Sequence, residues 1–251
     1  MTLRLEIDGA TAHLLIDRSD KRNAFDMAMW RAMSELLERA ARNPDLRLMI
    51  LRAAQPGAFC AGADIVELLA NKDDADWRAA NQAAINSVQH DLARHPLPTI
   101  AFIEGDCVGG GCGLALACDL RVATPQARFG ITPARLGLVY PLHDVKLLTA
   151  LVGPGQARRI LYTGDLLDAA EALRIGLVEE VADSPEALAQ AILAASPHSI
   201  RETKRFVRRV LDGQTADDEE TLRIFAEAFT GPDFAEGTAA FVAKRKPEFG
   251  G

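Results

Sequence analysis

The chain has 251 residues, 49% of them apolar and 25% charged, so it can bury a sizeable core and is not read as disordered. Its net charge of −7 argues against a general nucleic-acid binder, which needs a basic face, though it leaves room for a local basic pocket. No basic stretch leads into an apolar run near the first residue, and no apolar run is long enough to span a bilayer, so a cytoplasmic protein with no membrane partner is expected.

Residues 3–7 and 11–16 alternate apolar and polar around Asp8-Gly9, which predicts a β-hairpin. Residues 17–23 form a polar loop. Asp26 then opens an amphipathic helix with Met29, Met33, Leu36, Leu37 and Ala40 on one face, ended by Asn43-Pro44. A strand is expected over 46–51 and a small-residue turn over 59–64. The acidic stretch 71–76 is the best candidate for a mobile surface segment, ahead of a long helix over about 77–94. A buried strand over 98–104, an apolar helix opened by Gly109-Gly110-Gly111, and short strands over 120–123 and 128–130 follow. Strands alternating with helices predict an α/β chain with crossover connections. From about residue 144 onward the pattern is helical, and its last three helices, over 200–211, 217–229 and 232–245, lie beyond any strand signal. Residues 1–195 are therefore assigned to a core, and residues 196–251 to a helical region that buries its apolar face on another subunit.

The four cysteines Cys60, Cys107, Cys112 and Cys118 sit in small, apolar segments without paired zinc spacing, so they read as buried thiols, and no metal site is expected. Two segments carry chemistry. Phe59-Cys60-Ala61-Gly62-Ala63-Asp64-Ile65 and Gly109-Gly110-Gly111-Cys112-Gly113 each follow a strand and lead into a helix. Small residues let backbone N–H groups reach a ligand, and a helix N-terminus adds free donors and partial positive charge. Either segment alone is explained by close helix–strand packing; the pair suggests an oxyanion hole, in which two N–H groups stabilise charge developing on a carbonyl oxygen.

These two segments, with Lys21-Arg22-Asn23-Ala24, Cys118-Asp119-Leu120, Phe129-Gly130, Leu136-Gly137, Tyr162-Thr163-Gly164, Gly176-Leu177-Val178 and the closing stretch from Phe241 to Phe249, resemble the crotonase (enoyl-coenzyme A hydratase/isomerase) superfamily end to end. The resemblance implies a crotonase-type spiral of ββα units with a C-terminal helical region for trimer contacts, in a homotrimer or a dimer of trimers. It implies an acyl-coenzyme A substrate with no separate cofactor. Ala63 and Gly110 match the oxyanion donors. Lys21, Arg22, Ala24, Ala61, Asp64 and Ile65 match the coenzyme A pocket, and Phe241 and Lys244 match positions reaching its nucleotide end, commonly from a neighbouring subunit. Lys21, Arg22 and Lys244 suit phosphate neutralisation.

The chain departs from the family at the two glutamates by which hydratases activate water. Their positions are Gly113 and Pro133, and neither transfers a proton. The stretch Thr132-Pro133 through Leu136-Gly137 to Tyr140 is partly similar to methylmalonyl-coenzyme A decarboxylase, which uses a tyrosine in its active site but has a histidine at the Ala63 position. Tyr140 is thus read as an active-site phenol, against a core aromatic with a satisfied hydroxyl; Asp144 reads as a helix N-cap, and His143 as either an acid/base or a capping residue. Decarboxylation forms the enolate without a base and is slightly favoured. The alternatives are a hydratase or isomerase with relocated acid/base residues (Asp144, His143 or Tyr140), and a catalytically silent acyl-coenzyme A binder.

Overall fold

The computed structural model describes residues 2–250. The hairpin forms as β1 (Leu3–Asp8) and β2 (Thr11–Ile16), antiparallel, with Asp8 opposite Thr11 and Gly9 at φ 55° in the turn. Helix α1 (Met27–Ala41) is capped by the Asp26 carboxylate, which accepts from Met29 N, and the five apolar residues expected on one face are all buried. Strand β3 (Leu48–Ala53) follows, then α2 (Ile65–Ala70) and α3 (Ala75–Ala93). Between these helices the acidic stretch closes a short turn, where Asp74 caps α3 by accepting from Trp77 N. Next come β4 (Thr99–Ile103), β5 (Asp106–Val108), α4 (Gly110–Ala117), β6 (Leu120–Ala123) and β7 (Arg128–Gly130).

Helix α5 (Leu142–Thr163) bends at Gly153 (φ 72°) before Pro154, within the stretch expected to be helical. Strand β8 (Leu167–Asp168), α6 (Ala169–Arg174), strand β9 (Glu180–Val181) and α7 (Glu186–Leu193) lead to α8 (Pro197–Leu211), α9 (Glu219–Ala228) and α10 (Pro232–Ala243). One sheet runs β1-β2-β3-β4-β6-β9, parallel from β2 onward; a second, small one runs β5-β7-β8.

Strand β3 is almost wholly buried because both sheet faces are covered. Met49, Leu51, Ala101 and Ile103 face the larger core with α1, α3, α4 and α5, while Leu48, Ile50, Ile100 and Phe102 face a smaller one closed by Ala189 of α7. The mixed α/β architecture is the expected one. Among the described residues no helix is long and apolar enough to cross a membrane.

The C-terminal helices bury little within the chain. Val207, Val210, Leu222, Phe225, Phe229, Phe241 and Val242 are all exposed. Lys204 ties α8 to the core through an ion pair with Asp119, whose carboxylate also accepts from Thr99.

Candidate active site

The two small-residue segments meet. Phe25 N donates to Gly62 O and Asp64 N donates to Phe25 O, both at 2.8 Å, which fixes the strand-like turn carrying Ala63. Gly109 N donates to Gly130 O at 2.8 Å, which fixes the start of α4. Gly62 has φ 96°, and a Cβ there would stand 2.9 Å from Val108 O and 3.2 Å from Gly110 N. Only glycine allows that approach. A Cβ on Gly110 would stand 3.7 Å from Ala63 N. Among the described residues no backbone acceptor takes the Ala63 or the Gly110 N–H. Two free donors therefore share one small space at a helix N-terminus, which is suited to a developing oxyanion.

The loop expected to line a coenzyme pocket lies against this turn. Ala61 N donates to Arg22 O, and Arg18 bridges Ala24 O and the Asp64 carboxylate. Burial pushes the Asp64 carboxyl upward, but the Glu67 and Val66 N–H groups and the Arg18 guanidinium outweigh it and hold the group below the usual range. Asp64 is thus fixed as the cap of α2, and Ile65, half exposed, begins that helix. Lys21 closes a short 3-10 turn. Arg22 sits in the left-handed region (φ 52°), and its guanidinium pairs with Asp106. Asp106 also takes Arg128, and both arginines line an open cleft of about 540 Å³. Phe241 is exposed on α10 and Lys244 follows it in the left-handed region; among the described residues no hydrogen bond or ion pair joins either one to the Ala63 turn.

The four thiols are free and buried, and burial pushes Cys60 and Cys118 up to about 12, so neither is a nucleophile at neutral pH. Cys112 Sγ donates to Cys107 O and helps pack the base of α4.

Tyr140 is buried, and its hydroxyl donates to Gly109 O at 3.0 Å. Burial first, then the charge of Asp144, push the phenol well above its ordinary value, so it stays protonated. Its proton is engaged by the peptide next to Gly110, which makes the ring a brace for the oxyanion segment. Tyr140→Phe should therefore cost about 1 kcal/mol of stability. It should also lower kcat by loosening the Gly110 donor while leaving coenzyme A affinity unchanged, as paired denaturation and steady-state measurements would show.

Gly113 lies one turn beyond Gly110 on α4, on the same face. A Cβ there would overlap the Gln89 side-chain amide and stand 3.3 Å from both Asp144 carboxylate oxygens. The side-chain space at this position is thus occupied by a glutamine from α3 and an aspartate from α5. Asp144 is not the N-cap expected from sequence: α5 starts at Leu142 after Pro141, and the carboxylate instead accepts from Gln89 Nε2 at 3.2 Å. It is 1% exposed, and burial raises it to about 6, the Gln89 hydrogen bond lowering it only in part. Its other oxygen, Oδ1, has no partner among the described residues. A buried carboxylate with one free oxygen and a pKa raised toward neutrality is suited to general acid/base work. Gln89, which no sequence motif marked, completes the site. Pro133 opens a 3-10 turn (Pro133–Leu136) and brings no proton carrier.

The family model for enoyl-CoA hydratase/isomerase matches residues 6–251. Crotonyl-CoA hydratase of Syntrophomonas wolfei is 31% identical over 257 residues, covering 98% of this chain and 96% of that protein. Short-chain-enoyl-CoA hydratase of Clostridium acetobutylicum is 31% identical over 254 residues, covering 97% and 95%. Among solved structures, an enoyl-CoA hydratase/isomerase family protein from Hyphomonas neptunium superposes with a TM-score of 0.95 at 38% identity, covering 100% of this chain and 98% of that one. With the convergent N–H donors, the matched length and these relatives together, the chain belongs to the enoyl-CoA hydratase/isomerase family of the crotonase superfamily.

Proposed function

We propose that the protein is an acyl-coenzyme A isomerase that moves a double bond along the acyl chain, with Asp144 as the single proton carrier. One observation carries this reading: the Asp144 carboxylate stands in the side-chain space of Gly113, one turn from the Gly110 donor. The Ala63 and Gly110 N–H groups hold the thioester oxygen, which acidifies the α-carbon. Asp144 removes the α-proton, the dienolate is stabilised as it forms, and the same carboxyl returns the proton at the γ-carbon. One group suffices for this shuttle. Syn hydration needs two proton carriers, and Pro133 supplies none.

Decarboxylation, to which the two missing glutamates point by themselves, is the second reading. The Asp144 carboxylate opposes it, because a substrate carboxylate placed there meets a like charge in a desolvated site. A panel of 3-enoyl-, crotonyl-, malonyl- and methylmalonyl-coenzyme A separates the readings. Isomerisation of the first with little turnover of the others is expected; loss of carbon dioxide from a malonyl thioester with no isomerisation overturns the proposal.

Coenzyme A enters as part of the substrate, and Lys21, Arg22, Ala24, Ala61, Asp64 and Ile65 are proposed to line its pocket. The exposed apolar residues of α8–α10 are proposed to bury against other copies in a trimer or a dimer of trimers, from which Phe241 and Lys244 reach the nucleotide. Coenzyme A should then raise the melting temperature by mass action. Arg22→Glu combined with Lys244→Glu should weaken that protection, and unchanged affinity in titration calorimetry would show that the pocket lies elsewhere.

A further inference from the structure

Among the described residues, seven buried side-chain nitrogen and oxygen atoms lack a hydrogen-bond partner, and four of them are in one cluster: Gln89 Oε1, Asp144 Oδ1, and both ring nitrogens of His143. Unpaired buried polar atoms are costly and rare, so four together mark a place where protons or polar ligands pass. His143 Nδ1 is 3.6 Å from Asp144 Oδ1, and the His143 side chain is 26% exposed while Asp144 is sealed at 2%. The side chain therefore lies against the buried carboxylate and reaches the surface in part, with both ring nitrogens turned inward.

We propose that His143 relays protons between Asp144 and solvent, so that the proton carried by the acid/base exchanges with water during turnover. This rests on the isomerase reading of Asp144. The protonated carboxyl gives its proton to His143 Nδ1, the partly exposed side chain turns outward, and the Nε2 proton leaves to water; the reverse steps return a solvent proton to the carboxyl.

The surroundings suit a neutral ring that can accept. Burial first, then Arg208 of α8, Arg94 beside α3, His90 of α3 and Lys146 of α5, hold the imidazole below its ordinary value. Asp212 pairs with Arg94 and Lys146, which tempers that field. Arg94, Arg208 and Asp212 line an open cleft of about 440 Å³ on this side of the molecule.

The test is isomerisation of a 3-enoyl-coenzyme A in deuterium oxide, read by mass spectrometry as deuterium per product molecule. The parent protein should incorporate close to one deuterium per turnover. His143→Gln should lower that ratio at least tenfold, and added imidazole should restore it in His143→Ala. A ratio counted per turnover is insensitive to a loss of folded enzyme. His90→Gln, a change on the neighbouring exposed histidine, should leave the ratio unchanged. Equal incorporation by the parent and His143→Gln, or no incorporation by the parent, overturns the relay while the isomerase reading stands. A parent that neither isomerises the substrate nor exchanges the α-hydrogens of butanoyl-coenzyme A overturns both.

Discussion

Asp144→Asn should lower double-bond transfer by about 10²–10⁴-fold while leaving coenzyme A binding intact, because it removes the proton carrier without changing the side chain's size. In the parent, kcat/KM should rise with pH through about 6, as the buried carboxyl ionises and becomes a base. The stability of the fold should move the other way. A carboxyl raised from 3.8 to about 6 by burial favours the protonated folded state. Its contribution is full below about pH 4 and is lost as pH rises through about 6, a change of about 3 kcal/mol if each pH unit of displacement counts about 1.4 kcal/mol. The asparagine variant lacks this loss, so at pH 8 it should melt at a higher temperature than the parent, and its advantage should vanish near pH 4. Undiminished isomerisation by Asp144→Asn, or a parent rate flat across pH 5–7, would remove Asp144 from the mechanism. A variant that gains stability as it loses activity is the expected mark of a buried charge kept for chemistry.

The meeting of the two small-residue segments was legible because it depends on close backbone approach. Gly62 and Gly111 must be small for the two chains to approach, and that requirement is written in residue type. The hairpin and α1 were legible for a similar reason: periodicity, the Asp26 cap and turn residues act locally. Strands β5, β8 and β9 were not, since two or three residues carry no period.

The polar side of the site was legible only by its gap. Gly113 and Pro133 announced missing glutamates, but what fills the space depends on packing between distant segments. Gln89 reaches Asp144 across 55 positions in sequence, from a helix most of whose other residues are not buried. Asp144 follows Pro141 closely enough to resemble a cap, and only the start of α5 at Leu142 turns its carboxylate inward. For Tyr140 both sequence readings were open, and the partner of its hydroxyl, Gly109 O, comes from 31 residues away.

Gly113→Glu supplies the glutamate that the family resemblance implies at this position and should nonetheless fail. The first carbon of the new side chain overlaps the Gln89 amide and meets both Asp144 oxygens at 3.3 Å, so the core must shift to admit it. Overpacking of this kind typically costs about 1–3 kcal/mol. A second carboxylate beside Asp144 adds like-charge repulsion, so one of the pair must hold a proton at neutral pH and the acid/base is lost. The expected result is a lower urea midpoint at pH 8, no gain in crotonyl-coenzyme A hydration, and a fall in isomerisation. Adding Gln89→Ala to Gly113→Glu should recover much of the stability by opening the overlapped volume, without restoring hydration, since Pro133 still offers no second proton carrier. A Gly113→Glu protein as stable as the parent and brisk in hydration would mean that Gln89 and Asp144 do not occupy the glutamate's space, and the case for a relocated acid/base would end there.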